Sequence, residues 1–146
     1  MAQASVNICY FAFRSPPSAA NIEKIASAGE RFIIFDSSVA VSEFHVMAAL
    51  KEAEAVFSKN RKYRRVGTIF LMYLTGNDQI ETAIKKAGIT TGTRTFMSIL
   101  LGDQKCVDVM QLMPENVSLT DRCIPHDAPE KDRKIFDAMT MVSLKL

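Results

Sequence analysis

Residues 66–76, VGTIFLMYLTG, are the longest nearly uninterrupted apolar stretch of the chain, and the arrangement of the neighbouring segments depends on their conformation. A run of this kind, ended by Thr75 and Gly76, is typical of a strand that is buried on both faces in the middle of a sheet. We therefore predict that this segment is the central strand. It is far shorter than the roughly 20 residues that a membrane span requires, so no membrane association is expected.

Hydrophobic patterns on both sides of this segment predict further strands and helices. Strands are expected at VNICYFAF (6–13), RFIIFD (31–36) and TRTFMSILLG (93–102). Helices are expected at 19–29, 77–88, 103–114 and 129–146. A further long helix is expected to begin after Ser42, which can cap it. Residues 114–130 have no clear pattern. We expect residues 1–146 to form a single α/β (α+β) domain, with a mixed β-sheet covered by helices.

Composition places the chain in the ordinary globular class, with 48% hydrophobic and 23% charged residues and a net charge of +2. Its three cysteines are an odd number without a C-x-x-C pair, which favours a reducing compartment over a disulfide framework. No secretory signal precedes the first strand, so we expect a cytoplasmic protein. Two histidines, His45 and His126, are too few and too isolated for a closed zinc site, and no metal or cofactor is expected.

An enzyme is not predicted, because the phosphate-binding and nucleophile motifs G-x-x-x-x-G-K-[ST], G-x-G-x-x-G and G-x-S-x-G are absent from the sequence. Cys9, inside a strand, is interpreted as a buried hydrophobe. His45 lies on the flank of its helix, where it either lines a groove or is a half-buried residue bonded to a neighbour. Backbone N–H groups after Gly76 suit a phosphate, but Asp78 and Glu81 have the spacing to cap the helix themselves. The alternative function is a small stand-alone α/β enzyme with a pocket near His45 and Gly76.

Three segments together resemble a known family: FIIFDSSVAVSEFHVMAALKEAEAVF, IFLMYLTGNDQIETAIKKAGI and IFDAMTMVSLKL. They are similar to the PRPK-binding-protein family, the small kinase-binding subunit of the KEOPS complex, in its archaeal form. The resemblance implies a non-catalytic, regulatory subunit of the complex that installs threonylcarbamoyladenosine in tRNA. It also implies two partners, the atypical kinase/ATPase subunit and the single-stranded 3′ end of tRNA. Weak self-association is left open. Relatives often have a basic residue where this chain has Asp78.

The last predicted helix has more apolar residues than one core-facing stripe can use. Phe136, Met141 and Leu144 fall away from the stripe that includes Met139 and Val142. Exposed methionine-rich surface is a common feature of protein contact sites. We predict that the kinase subunit binds Phe136, Met139, Met141 and Leu144. The alternative is a helix buried between two layers.

Two groups of residues are predicted to contact tRNA. His45, Asn77 and Gln79 offer one stacking ring and two amides, which suit an unpaired RNA end. The segment KNRKYRR, residues 59–65, has five cations and one tyrosine, more charge than a helix end needs. We predict that it contacts the phosphate backbone, with Tyr63 available for stacking, through the following cations: Lys59, Arg61, Lys62, Arg64 and Arg65. The alternative is a solvated helix end.

Overall fold

The computed structural model of the chain describes residues 8–59 and 63–145, with side chains described up to residue 143. The strands are β1 (Ile8–Phe13), β2 (Phe32–Asp36), β3 (Thr95–Leu100) and β4 (Val117–Leu119). The helices are α1 (Ala19–Ser27), α2 (Glu43–Lys59), α3 (Val66–Thr75), α4 (Ile80–Ala87), α5 (Cys106–Met110) and α6 (Pro129–Lys145). Within these described ranges, no helix combines the length and the apolar character that crossing a membrane would take.

The four strands form one sheet in the order β2-β3-β1-β4. Strand β1 pairs with both β3 and β4, and β2 pairs with β3, in each case antiparallel. The α+β fold class predicted from the sequence is confirmed. A mixed sheet was expected, whereas all pairings among the described strands are antiparallel, so this part of the prediction is corrected.

Side chains alternate across this sheet and build a core on each face. One core packs against α2, α3, α4 and α6, and its sheet residues are Tyr10, Ile33, Phe35, Met97 and Ile99. The opposite core packs against α1 and α5, and its buried sheet residues are Cys9, Phe11, Phe32, Phe96 and Val117. The sheet is therefore a middle layer between helices on both sides.

The prediction that residues 66–76 form the central strand is wrong, because most of the segment is helix α3. Its φ of 66° places Gly76 in the left-handed region, and the N–H groups of Gly76 and Asn77 donate to Tyr73 and Met72 carbonyls at 3.2 and 2.9 Å. This glycine end is typical of a helix terminus. Five of the ten helical residues are buried, namely Ile69, Phe70, Met72, Tyr73 and Leu74. A helix covered on nearly all sides is hydrophobic all round, so it lacks the polar stripe that periodicity detects.

The other predicted strands and helices are present, with two differences. Helix α5 is shorter than the helix predicted at 103–114, and the N-cap of α4 is Gln79, so the cap predicted at Asp78 is corrected. The predicted strands at 6–13, 31–36 and 93–102 contain β1, β2 and β3. Ser42 caps α2 as expected, since its Oγ accepts a hydrogen bond from the His45 N–H at 3.0 Å. Helix α4 ends at Gly88. The unassigned stretch at 114–130 contains the short edge strand β4.

The expectation that the cysteines are unpaired is also wrong. Cys9 in β1 and Cys106 at the start of α5 form a disulfide with Cα atoms 6.0 Å apart, and Cys123 is free and exposed. The two partners are 97 residues apart in sequence, so spacing could not reveal the pair. Cys9 is buried, as predicted. The bond connects the middle of the sheet to the helix that covers one of its faces.

Candidate partner surface

Helix α6 has a buried side and an exposed side. Met139 and Val142 are 4% and 1% exposed and belong to the core beside α2 and α3, so the prediction that Met139 binds a partner is corrected. Phe136 and Met141 remain 36% and 58% exposed. The side chain of Leu144, also predicted to bind a partner, lies outside the described side chains.

An exposed aromatic pair joins α6 to the beginning of α2. The rings of Phe44 and Phe136 meet edge to face with centroids 5.5 Å apart, and Phe44 is 53% exposed. Met47, one turn after Phe44 on α2, is also exposed. We call Phe44, Met47 and Phe136 the aromatic patch. Sequence reasoning found Phe136 and missed the two α2 residues, although both lie off the helix's core stripe and had that signal.

Beneath this patch, a buried polar network fixes α6 against α2. The Ser42 hydroxyl donates to Asp132 Oδ1 at 2.7 Å, and both residues are buried. The other Asp132 oxygen accepts from the Ala128 N–H at 2.9 Å, which caps the first turn of α6. The position of Phe136, one turn further along α6, is therefore set by bonded groups that solvent does not reach.

His45 belongs to the core and not to an open groove. The residue is 1% exposed, its Nδ1 accepts from the Val41 N–H at 3.1 Å, and its Nε2 lies 2.9 Å from the Leu74 carbonyl oxygen. Because Nδ1 is an acceptor, Nε2 must have the proton and donate it to Leu74. Burial lowers the pKa of His45, partly offset by the Leu74 bond and the Asp132 charge. A ring bonded at both nitrogens cannot stack on an RNA base or act in an open pocket, so this prediction for His45 is corrected.

The start of α2 is also held by its first residue. Glu43 accepts from the Tyr10 hydroxyl at 2.5 Å and lies 3.2 Å from His126 Nδ1, with an Arg122 guanidinium nitrogen 3.9 Å away. The hydrogen bond from Tyr10 holds the pKa of the Glu43 carboxyl below its ordinary value, while burial acts in the opposite direction. Burial raises the pKa of Tyr10, and its bond to Glu43 adds to that rise. These contacts attach the segment before α6 to the base of the aromatic patch.

The turn after α3 lies next to α6. A Cβ built on Gly76 would be 2.7 Å from the Cβ of Ala138, so the two backbones approach closely there. Asn77 is half-buried and its Oδ1 accepts from the Gln79 N–H at 3.0 Å, whereas the Gln79 side chain is exposed. Of the three residues predicted to contact the RNA end, His45, Asn77 and Gln79, only Gln79 is therefore fully exposed.

The basic segment 59–65 divides into three parts. Lys59 and Arg64 are exposed, whereas Arg61 and Lys62 lie outside the described residues. Arg65 is exposed but donates to the Ala26 carbonyl at the end of α1, at 3.2 Å. Tyr63 is buried in the core, which corrects the prediction that its ring is available for stacking.

Comparison with known families identifies the chain. A family model described as kinase binding protein CGI-121 matches residues 17–139, which is most of the sequence. The chain belongs to the CGI-121 family. The predicted resemblance to the PRPK-binding-protein family of the KEOPS complex is thereby confirmed. No curated protein matches the chain.

Membership in the CGI-121 family indicates that the chain binds a kinase. The matched range includes all of α2 and the first two-thirds of α6, which contain the aromatic patch. The patch is thus an exposed apolar surface within the part of the chain that defines a family of kinase-binding proteins.

Proposed function

We propose that the chain is the non-catalytic subunit of the KEOPS tRNA threonylcarbamoyladenosine-modification complex that binds the atypical kinase/ATPase subunit. In this proposal it works in the cytoplasm and also helps to hold tRNA by its single-stranded 3′ end. The observation that supports the kinase contact is the aromatic patch, whose two rings are exposed although each is large and apolar. Aromatic side chains of this kind are enriched at the centres of protein interfaces.

The patch is suited to binding because its parts are already ordered. Phe44 and Phe136 hold each other edge to face, and the Ser42–Asp132 bond fixes the helices beneath them. Side chains with few rotatable bonds that are fixed before association lose little conformational entropy when a partner covers them. Most of the free energy gained by burying the patch then contributes to affinity, because little of it offsets the ordering of side chains.

A charge in the patch should weaken kinase binding. We expect Phe44→Glu to reduce the affinity for the kinase subunit by about tenfold or more, since truncated hot spots cost about 2 kcal/mol or more. The loss of the contact with Phe136 should cost about 0.5–1.5 kcal/mol of stability, and a carboxylate in the first turn of a helix is favourable, so the protein should stay folded. Titration calorimetry with the purified kinase subunit measures the change.

Val107→Glu is the matched control for Phe44→Glu. Val107 is 51% exposed, close to the value for Phe44, but lies on α5 on the opposite side of the sheet. Its substitution should leave kinase affinity unchanged. Equal affinities of wild type and Phe44→Glu, with both proteins folded by circular dichroism, would place the kinase contact elsewhere.

The proposed tRNA contact is supported by Lys59 and Arg64, cations of the basic segment that the structure shows to be exposed. Neutralising Lys59, Arg61, Lys62 and Arg64 to Gln should lower tRNA affinity and flatten the slope of log affinity against log salt. The slope should change by about 0.7–0.9 for each RNA phosphate that the variant no longer neutralises. Arg65 is left intact in this variant because its guanidinium binds the Ala26 carbonyl.

A second variant with the same change of charge controls for net charge alone. Its four substitutions to Gln replace exposed lysines on other surfaces, namely Lys24, Lys85, Lys105 and Lys131. It should keep most of the wild-type salt slope. If both variants flatten the slope equally, the segment acts only through overall charge. If neither does, the segment is a solvated helix end.

A further inference from the structure

Strand β2 is an edge of the sheet, and the pairing register shows which of its backbone groups point outward. The Leu101 N–H donates to the Arg31 carbonyl at 3.0 Å, which makes these two residues a hydrogen-bonded pair. Hydrogen-bonded pairs alternate along an antiparallel ladder, so Ile33 and Phe35 bond to β3. The N–H and C=O of Ile34 therefore point away from the sheet.

An apolar groove of about 280 Å³ lies along this edge. Its walls are formed by α1 on one face of the sheet and by α3 and α4 on the other, with these principal side chains: Ile22, Ile25, Leu71 and Ile84. Ile33 and Ile34 line it from opposite faces of β2. A groove of this volume has room for a few side chains of an occupant whose backbone lies along the open edge of β2.

Arg65 places a positive charge at the groove. Arg65 lines it and donates to the Ala26 carbonyl at 3.2 Å, which uses one of the five N–H donors of a guanidinium. A Cβ on Gly29 would be 2.3 Å from this guanidinium, so the absence of a side chain at Gly29 makes room for it. An occupant of the groove can thus meet both apolar walls and a positive charge.

We propose that the β2 edge accepts an extended, mostly apolar segment of a partner protein as a fifth strand, with an acidic residue of that segment beside Arg65. An outward N–H and C=O on one residue match the two bonds that an added strand makes there. Side chains of that strand would alternate between the wall of α1 and the wall of α3 and α4. A second copy would have to bring its own β2 edge, which lies between the same helices α1, α3 and α4, whereas an extended segment has no such walls, so the segment is the proposed occupant.

The test uses the full chain and a displayed library of random nine-residue peptides. The proposal predicts selection of peptides with alternating aliphatic or aromatic residues and at least one Asp or Glu. Binding of a selected peptide should slow hydrogen exchange at the Ile34 amide, measured by NMR. A library that yields no binder, or a bound peptide that leaves this exchange rate unchanged, overturns the proposal.

Two variants and one control locate the bound peptide. Ile34→Pro removes the outward N–H without removing a bond to β3, as edge positions tolerate proline. Ile84→Glu puts a charge into the groove wall at a position that is already 47% exposed. Both should weaken binding by about tenfold or more. Ile80→Glu, on the same helix, 37% exposed and not lining the groove, should change it less than twofold.

Two further results would contradict the proposal. Peptides that bind Ile84→Glu as tightly as wild type overturn the proposal, whether or not Ile34→Pro folds. Sedimentation of the chain alone tests whether a second copy of the chain occupies the groove. A dimer that dissociates in Ile84→Glu but not in Ile80→Glu would show that the groove is occupied by another copy, contrary to the proposal.

Discussion

His45 shows how one residue connects three elements. It lies in the first turn of α2, bonds the backbone before that helix through Nδ1, and bonds the end of α3 through Nε2. The charge of Asp132, at the start of α6, also acts on it. The same residue type at the surface would have suited RNA, whereas in the core it satisfies two backbone groups that would otherwise be unpaired.

Acid should destabilise the fold through His45. The folded-state pKa of His45 is below its ordinary value of 6.5, so below about pH 6.5 the unfolded chain binds more protons than the folded one. The contribution of neutral His45 to the free energy of unfolding is then fully present above about pH 6.5. It falls as the pH is lowered toward the folded-state pKa, by at most about 1.4 kcal/mol per pH unit. Urea unfolding between pH 7.5 and 5 measures this slope.

The two histidines provide matched variants for that experiment. His45→Gln should be less stable at pH 7.5 and should lose most of the slope, because its side chain does not titrate. His126→Gln should keep the part of the slope that comes from His45, because it leaves the His45 imidazole and its two hydrogen bonds unchanged. A wild-type stability that is flat from pH 7.5 to 5 would contradict the buried neutral imidazole.

At the level of elements, α3 is the centre of the structure. It packs on the sheet and against α2, α4 and α6, and its C-terminal turn at Gly76 touches α6 at Ala138. Two constraints coincide at this glycine, a positive φ and a close approach of another helix. Gly102 has nearly the same φ, 65°, but no heavy atom within 4 Å of a built Cβ.

The comparison of Gly76→Ala with Gly102→Ala separates these two constraints. Both variants should lose about 1–2 kcal/mol from the left-handed backbone. Gly76→Ala should lose about 1–3 kcal/mol more, because its methyl group overlaps Ala138. Denaturant unfolding at neutral pH gives both values.

Ala138→Gly tests the source of the additional loss. In the Gly76→Ala background this second substitution removes the overlapping methyl group, so the pair should be more stable than the sum of the single effects predicts. Equal losses for Gly76→Ala and Gly102→Ala would mean that α3 and α6 are further apart than the structure indicates.

For the molecule as a whole, the sheet separates two cores that are stabilised by different interactions. The core beside α2, α3, α4 and α6 has the larger set of buried apolar residues. The smaller core, beside α1 and α5, contains the disulfide between Cys9 and Cys106. A covalent bond across 97 residues restricts the unfolded chain and stabilises the face with less apolar burial.

Removing this disulfide should destabilise the protein. Cys9→Ala combined with Cys106→Ala should lower the free energy of unfolding by about 2–5 kcal/mol. Cys123→Ala, at the free and exposed cysteine, is the control and should have little effect. Thiol titration of the protein unfolded without reductant should find one reactive thiol, whereas three would show that the pair is not oxidised.

The sequence was a good guide wherever local signals agreed with each other. Strands β1, β2 and β3 have β-branched and aromatic residues bounded by turns, and α4 has an apolar stripe, terminal charges and a closing glycine. The resemblance to the kinase-binding family also followed from sequence, as did the exposed Phe136. The strands, α4 and the position of Phe136 depend on residues within a few turns of one another, and the resemblance depends on the residues of three separate segments, so a single sequence reveals both.

Only the tertiary structure decided the conformation of residues 66–75, the burial of His45 and the pairing of Cys9 with Cys106. An all-apolar segment can be a central strand or a core helix, and the surfaces of α2, α4, α6 and the sheet that cover it select the helix. His45 is buried because α3 brings the Leu74 carbonyl to its ring, 29 residues away in sequence. In each case the deciding atoms come from distant segments, whose proximity exists only after the chain has packed.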